Sequence, residues 1–359
     1  MGVARAVAGR GMRRIDSAIL RVACTEYRLI GISLLRIVLG LATVLYCLSD
    51  YRNREFFWGP NSYDSPSVAS RSLPHAGFSL FLISDSQAWF EVLFHLTIVS
   101  SLAFMVYGGR ALTLVQAVLM WSLHLRNQDI LEGGDNLAQI VIIFMVFTVS
   151  NAYLAPGAKK RRARLRAARR PKAATFLHNL AAYLIVFQVA VLYLTSGYWK
   201  IAGKLWQDGV AMYYISRDTG FQMSYTYSHL MSNAYVGTAV CYVTIFIELA
   251  FPFAVLSSRA WVRKANALSL EGLHLGIMAF MGLVCFGLIM IGADCMAMRD
   301  DDYRALWKRT LPLRGRAVAG WRSLGRPAAP LVAAVPPTAG FATASPAVDS
   351  RMVGGVDHD

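Results

Sequence analysis

The side chains best suited to chemistry lie between residues 196 and 209, which read SGYWKIAGKLWQDG. This segment places Lys200 and Lys204 among Trp199 and Trp206. A lysine held against aromatic and apolar surface is poorly hydrated, and poor hydration favours the neutral amine that acts as a base. The same residues could instead form an interfacial belt, with tryptophans at headgroup level and lysine ammoniums reaching into water. The pattern therefore makes Lys200 either a catalytic base or a membrane anchor.

Ionisable residues within apolar stretches are the second candidate group. Each costs roughly 2.5 to 3.5 kcal/mol on insertion scales, so each requires a partner or a function. Arg36 lies in SLLRIVLG and Glu248 in FIELAFPF. Both are expected to face the bundle interior, where they pair with each other or with other groups, or line a cavity. Glu271 and His274 share one helical face at i, i+3. In one interpretation they exchange protons as a pair, because histidine titrates near neutral pH. In the other, His274 is a histidine of the bundle core whose hydrogen bonds are satisfied.

The elements that carry these residues are predicted to be transmembrane helices. Of the 359 residues, 56% are hydrophobic and only 16% are charged, which is more apolar than a soluble domain of this size requires. The pattern predicts an all-α, polytopic transmembrane helical bundle in contact with the lipid bilayer. The predominantly apolar stretches are residues 31–47, 88–107, 136–155, 175–197, 236–256 and 267–298.

The basic residues indicate topology rather than nucleic-acid binding. The formal net charge is +15, but nine basic residues fall in one run from Lys159 to Lys172, between two apolar stretches. Such a run is typical of a cytoplasmic loop that contacts anionic lipid headgroups, so no nucleic acid is expected as a partner. The five cysteines are scattered without a CxxC motif. They support neither a disulfide framework nor a metal site.

Counting crossings from a cytoplasmic amino terminus gives a multi-pass protein of the cell membrane. The fifth span should end at about Gly197, which leaves Lys200 in an external segment from Tyr198 to Asn233. Residues 267–298 are too long for one span, and their glycines could divide them, so seven or eight crossings are predicted. The expected organisation is a basic cytoplasmic segment over residues 1–27, a membrane domain over 28–298 and a basic, then Pro/Ala-rich, disordered tail over 299–359.

Several short strings together carry a family likeness. The chain resembles the HTTM (horizontally transferred transmembrane) domain, the membrane domain related to vitamin K-dependent gamma-carboxylase, over about residues 28–298. It is also similar to the bacterial sporulation-delaying protein B family, which assists maturation of a secreted peptide toxin. The strings are SGxxKxxGxxWxxG from Ser196, RNxxxxxGGDxL from Arg126, RxxLG from Arg36, ExxFP from Glu248, and HLGI from His274 with Phe286 downstream.

The resemblance implies particular roles for these residues. In the carboxylase a lysine deprotonates reduced vitamin K, and Lys200 stands at the matching position, with His274 matching the late histidine of the family. The corresponding substrate or quinone pocket would be formed by Trp199, Trp206, Asp135, Arg126 and Glu248.

Two classes of function follow. The first is a membrane enzyme of the carboxylase or epoxidase type, which uses a reduced quinone with Lys200 as base. The second is a non-catalytic accessory protein for the maturation or export of a secreted peptide, in which the same aromatic and cationic residues dock the peptide or a small partner protein. If Lys200 is a desolvated base, its removal should cost the fold little, because burial already destabilises the charged form.

Overall fold

The computed structural model describes residues 24–64, 78–167, 173–221 and 224–309, which contain helices and turns but no strand. The all-α prediction is confirmed for this part of the chain. Two short 3₁₀ segments, Tyr51–Asn53 and Leu80–Leu82, accompany the helices, and residues 300–309 are also helical. In chain order the helices are α1 (Leu29–Ser49), α2 (Arg54–Trp58), α3 (Gln87–Val106), α4 (Arg110–Arg126), α5 (Gly133–Met145), α6 (Ala158–Ala167), α7 (Ala173–Ala202), α8 (Lys204–Gln207), α9 (Ala211–Ile215), α10 (Tyr225–Met231), α11 (Ala234–Leu256), α12 (Ala260–Met281) and α13 (Val284–Asp294).

Four of these helices, α1, α3, α7 and α11, are long and apolar enough to cross a membrane. They contain 21, 20, 30 and 23 residues, and the chain is an integral membrane protein. Helices α5 and α13 are apolar but have only 13 and 11 residues. At 1.5 Å per residue they measure about 20 and 16 Å, less than the ~30 Å hydrocarbon core. The count of seven or eight crossings stays a prediction.

Helices that follow one another pack side by side: α3 lies against α1 and α4, and α12 lies against α11 and α13. Helix α13 also packs along α1 and α5, and this contact joins the two halves of the chain around a common apolar core. We call the two ends of this bundle the Lys200 end and the Arg263 end, after residues near the end of α7 and the start of α12.

The fourth apolar stretch differs from its prediction. Residues 136–155 are uniformly apolar enough for a span, but α5 ends at Met145, and the residues that follow form turns against α1. Non-helical backbone is tolerated at membrane depth only where protein groups satisfy it. Arg36 does so at Leu154, because its guanidinium donates to that carbonyl oxygen at 2.7 Å. The same guanidinium donates to the carbonyl oxygen of Phe104, in the last turn of α3, at 3.1 Å. Arg36 faces the interior, as expected, but its partners are backbone carbonyls and not Glu248.

The last apolar stretch divides at Gly282, which ends α12. Its φ of 76° lies in the left-handed region that glycine enters without steric cost, so the chain reverses there into α13. The predicted break within residues 267–298 is thereby confirmed. Gly287 and Gly292 were also candidates for the break, but they lie inside α13.

The termini are described only in part. Residues 1–23 and 310–359 lie outside the described residues, and with them most of the predicted cytoplasmic segment and the predicted disordered tail. The helical segment 300–309 is tied to α12, because the Arg263 guanidinium donates to both carboxylate oxygens of Asp302 at 2.7 and 2.8 Å.

Candidate functional site

Lys200 and Glu248 form an ion pair between α7 and α11. The Lys200 ammonium donates to both oxygens of the Glu248 carboxylate at 2.8 Å and to the Ser196 hydroxyl at 2.6 Å. The two side chains are 17% and 7% exposed, so the pair is largely but not fully shielded from solvent. The Lys200 ammonium also lies 5.3 Å from the centre of the Trp206 ring, within range of a cation–π contact.

The local helical structure explains this geometry. Lys200 was predicted to lie just beyond the fifth span, but α7 continues to Ala202 and places it in the last helical turn. A long side chain on a helix points back toward the amino terminus, so the ammonium reaches the level of Ser196, one turn earlier. A Cβ on Gly197 would lie 2.6 Å from the Leu249 side chain, which would have to move, so glycine at this position favours the close approach of α7 to α11.

His274 belongs to a second polar cluster, deeper in the bundle. The Tyr193 hydroxyl donates to the two carboxylate oxygens of Asp294 at 2.8 and 3.0 Å. His274 Nε2 lies 2.9 Å from the same hydroxyl oxygen and 3.5 Å from Asp294 Oδ2. All three residues are at most 2% exposed, and His274 Nδ1 is buried without a hydrogen-bond partner among the described residues. The three side chains come from α7, α12 and α13.

The ion pair and the Tyr193 cluster are neighbours along the same helix interface. The rings of Tyr193 and Phe251 lie 5.0 Å apart, and Glu248 is one turn from Phe251 on α11, as Ser196 is from Tyr193 on α7. One helical turn corresponds to about 5.4 Å along the axis. Electrostatic interactions reach from Glu248 to Tyr193 and from Lys200 to His274. The two predicted catalytic residues, Lys200 and His274, thus lie in adjacent clusters without direct contact.

Trp199 and Trp206 do not line a common surface at Lys200. Trp206 lies beside the Lys200 ammonium, but Trp199 is 68% exposed and contacts Tyr198, with ring centres 5.7 Å apart. Consecutive residues of a helix point in directions about 100° apart, so Trp199 and Lys200 lie on different faces of α7. Of the residues predicted to form a substrate or quinone pocket, Trp206 and Glu248 lie at Lys200, whereas Trp199 faces outward.

Asp135 lies in a separate cluster at the start of α5. Its carboxylate accepts the backbone N–H of Glu132 at 2.9 Å and lies 3.9 Å from His124 Nε2. His124 Nδ1 in turn lies 3.0 Å from the Gln139 amide nitrogen. A cavity of about 10 Å³ borders His124, Asp135 and Tyr46. Asp135 therefore caps its own helix and adjoins a small buried cavity, apart from Lys200.

Arg126, the last residue of α4, holds the turn that follows α2. Its guanidinium donates to the carbonyl oxygens of Gly59 at 2.6 Å and Asp64 at 3.0 Å, and to the Ser62 hydroxyl at 2.5 Å. Arg126 is 1% exposed, so its guanidinium is enclosed by these contacts. Its position supports a loop-fastening role and does not bring it to Lys200.

No role was assigned to Tyr193 or Asp294 from the sequence, and Ser196 entered only as the first residue of the SGxxKxxGxxWxxG string. Tyr193, Ser196 and Lys200 follow one another at i, i+3 and i+7, which places them on one face of α7. That periodicity was the available signal. It marks a shared face but does not identify the opposite helices.

The fold and these buried clusters define the class of the protein as an integral membrane protein with ionisable groups inside a helical bundle. No protein-family model matches the chain, and no curated protein or solved structure matches it either.

Proposed function

We propose that this chain is a membrane enzyme of the HTTM and carboxylase-related type, in which the Lys200–Glu248 pair exchanges a proton with a reduced quinone. The observation that carries the proposal is the ion pair itself. It is held at 2.8 Å between two membrane-spanning helices, beside Trp206, with the Lys200 side chain still 17% exposed. A permanently charged structural pair would not need this partial access, whereas proton exchange with an apolar partner does.

The chemistry of the pair is simple. Lys200 can pass a proton to Glu248 and become the neutral amine, and Nζ can then accept a proton from a hydroxyl beside it. After that step Lys200 is an ammonium and Glu248 a neutral carboxyl, so the pair carries one positive charge. This charge stabilises an anion that forms next to it in a weakly polar environment. The Ser196 hydroxyl keeps Nζ in place, and Trp206 offers an apolar face to a quinone ring.

The test compares Lys200→Ala with Lys204→Ala in purified protein supplied with reduced menaquinone, bicarbonate and molecular oxygen, the oxidant that converts a hydroquinone to its epoxide and water. Lys204 is the matched control, because its side chain is 84% exposed and its one ion-pair partner among the described residues is Asp208, on the surface. We expect wild type and Lys204→Ala to form quinone epoxide, measured by mass spectrometry, and Lys200→Ala to form none. A small primary amine should restore part of the lost turnover. Full turnover by Lys200→Ala, or none by wild type, would overturn the proposal.

A second function is favoured by the aromatic surface at the Lys200 end. Trp199, Tyr225 and Tyr235 are 68%, 87% and 88% exposed. Exposed aromatic residues suit the docking of a secreted peptide or a small partner protein, although they also suit a membrane interface. Replacing all three with serine should abolish export of such a peptide in the accessory function and leave quinone turnover intact in the enzymatic one.

A further inference from the structure

Glu271 lies one helical turn before His274 on α12 and is half-buried. Among the described residues its carboxylate has no hydrogen bond or ion pair, but electrostatic interactions link it to Asp294, Cys295 and Tyr303. An unpaired carboxylate within an apolar bundle is costly and usually faces a pathway for ions or protons. Glu271 is therefore a partly accessible carboxylate one helical turn from His274, on the same face of α12.

The hydrogen bonds of that cluster leave room for one more proton. Tyr193 has a single hydroxyl proton, which it donates to Asp294, so its oxygen accepts from His274 Nε2–H. This arrangement leaves His274 Nδ1 without a proton, in agreement with the missing partner at that atom. The cluster thus has one unfilled acceptor, and it lies at the buried imidazole.

We propose that Tyr193, His274 and Asp294 form a proton store distinct from the Lys200–Glu248 pair, and that Glu271 is the group through which protons enter it. This function goes beyond the proposed quinone chemistry and does not depend on it. A proton enters at Nδ1, Nε2–H passes its proton to the Tyr193 oxygen, and the Tyr193 hydroxyl proton moves to Asp294. At the end His274 is neutral with its proton on Nδ1, Tyr193 keeps a hydroxyl, and Asp294 is a neutral carboxyl.

Entry from Glu271 is favoured over entry from Lys200. Glu271 shares a helix face with His274, while the Lys200 ammonium is already bound by three oxygen atoms of Ser196 and Glu248. The titratable groups that interact with the store are Lys200 on α7, Glu248 on α11, Glu271 on α12 and Cys295 just beyond α13. Tyr303 interacts with Glu271 and Cys295.

The experiment is infrared spectroscopy of the full chain in lipid nanodiscs after transfer to D₂O. The carboxylic-acid carbonyl band of Asp294 is identified as the band lost in Asp294→Asn, and its deuterium shift reports proton exchange. We expect Glu271→Gln to slow that shift by about ten-fold or more, as removal of a proton-transfer group does. Glu271→Asp should restore much of the rate, and Lys204→Met, at a side chain that is 84% exposed, should leave it unchanged.

The matched control is Tyr303→Phe, which removes a partly buried hydroxyl that donates to the backbone carbonyl of Cys295, outside the store. It should exchange as wild type does. Two results would overturn the proposal: no Asp294 band at any pH at which the protein is folded, or unchanged exchange in Glu271→Gln. Because no quinone is used, failure here and failure of the proposed enzyme are separate outcomes.

Discussion

Lys200 and Arg126 are both basic residues within candidate motifs, but their partners give them different capacities. Lys200 donates to a carboxylate, so a proton can move within the pair. Arg126 donates to carbonyl and hydroxyl oxygens and stays protonated at every relevant pH. Lys200 can therefore take part in proton chemistry, whereas Arg126 contributes by holding the chain between Gly59 and Asp64.

Removal of Lys200 should destabilise the protein, contrary to the expectation from its sequence. The Glu248 side chain is 7% exposed, so Lys200→Met leaves its carboxylate buried and unpaired. Breaking one side of a buried ion pair costs about 3 kcal/mol or more. We expect a lower midpoint of thermal unfolding in detergent for Lys200→Met, and recovery of most of that loss in the double variant Lys200→Met/Glu248→Gln. Equal midpoints for the single and double variants would show that the pair is not coupled.

The control for this cycle is the pair Lys204–Asp208 on the same part of the chain. Its side chains are 84% and 49% exposed, and their nitrogen–oxygen distance is 3.3 Å. Exposed pairs of this kind contribute little, because water already solvates both charges. Lys204→Met and Asp208→Asn should leave the midpoint unchanged, singly and together.

The sequence identified Lys200, Glu248 and His274 as candidates but could not show which of them meet. Spacing along one helix predicts a shared face, as for Tyr193 and Lys200. The pairing of Lys200 with Glu248 depends on the approach of α7 to α11, and the contact of His274 with Asp294 depends on the chain reversal at Gly282. Lys200 and Glu248 are 48 positions apart in the sequence, and His274 and Asp294 are 20 positions apart. Hydropathy carries no information about such distant contacts.

At the level of helices, apolar composition predicted where the chain is buried better than where each helix ends. Residues 146–155 are apolar but non-helical, because the buried Arg36 and Ser33 satisfy backbone groups that a helix would satisfy itself. An apolar composition is compatible both with a helix and with turns whose backbone groups are satisfied by other residues. The turns depend on Arg36, 118 positions before Leu154 in the chain, and the sequence does not reveal the contact between the two.

The turn at Gly282 should be sensitive to substitution. Its φ of 76° costs a residue with a Cβ about 1 to 2 kcal/mol, and more for a β-branched side chain. We expect Gly282→Val to lower the midpoint of thermal unfolding clearly, and Gly282→Asn to lower it less, because asparagine tolerates the left-handed region. Gly276, which lies inside α12 with open space around it, is the control, and Gly276→Ala should be neutral or stabilising. A Gly282→Val variant as stable as wild type would contradict the assigned turn.

The contact between α12 and residues 300–309 should respond to acid. Burial by itself raises the pKa of the Asp302 carboxyl, but hydrogen bonds from Arg263 and the Arg299 backbone lower it, and the resulting pKa lies below its ordinary value. Ionised Asp302 therefore stabilises the fold above its ordinary pKa of about 4, and this contribution is lost as the pH falls through the lower folded pKa. Asp302→Asn should lower the unfolding midpoint at neutral pH, and its difference from wild type should shrink in acid. Asp301→Asn, whose side chain is 89% exposed, should behave as wild type at both pH values.

At the level of the whole molecule, the basic segments that the positive-inside rule requires on one side lie near one another. Arg162, in the basic run, stacks on the Tyr153 ring at 4.3 Å, and Arg304 reaches the Tyr153 hydroxyl at 3.4 Å. The segment 300–309 that carries Arg304 is also bound to Arg263 through Asp302. The basic run and the start of α12 thus lie at the Arg263 end, whereas Lys200 lies near the opposite end of α7.

This arrangement predicts that the Arg263 end faces the cytoplasm and the Lys200 end faces outward. Single cysteines at Arg164 and Lys204, introduced into a variant without the five native cysteines, test it in intact cells. The cysteine at position 204 should react with a membrane-impermeant maleimide from outside, because this side chain is 84% exposed. The cysteine at position 164 should react only after the membrane is permeabilised. The reverse pattern would place the basic run outside and the Lys200–Glu248 pair at the cytoplasmic face. Labelling of both cysteines from outside would mean that the chain crosses the membrane in a different order from the one its charges predict.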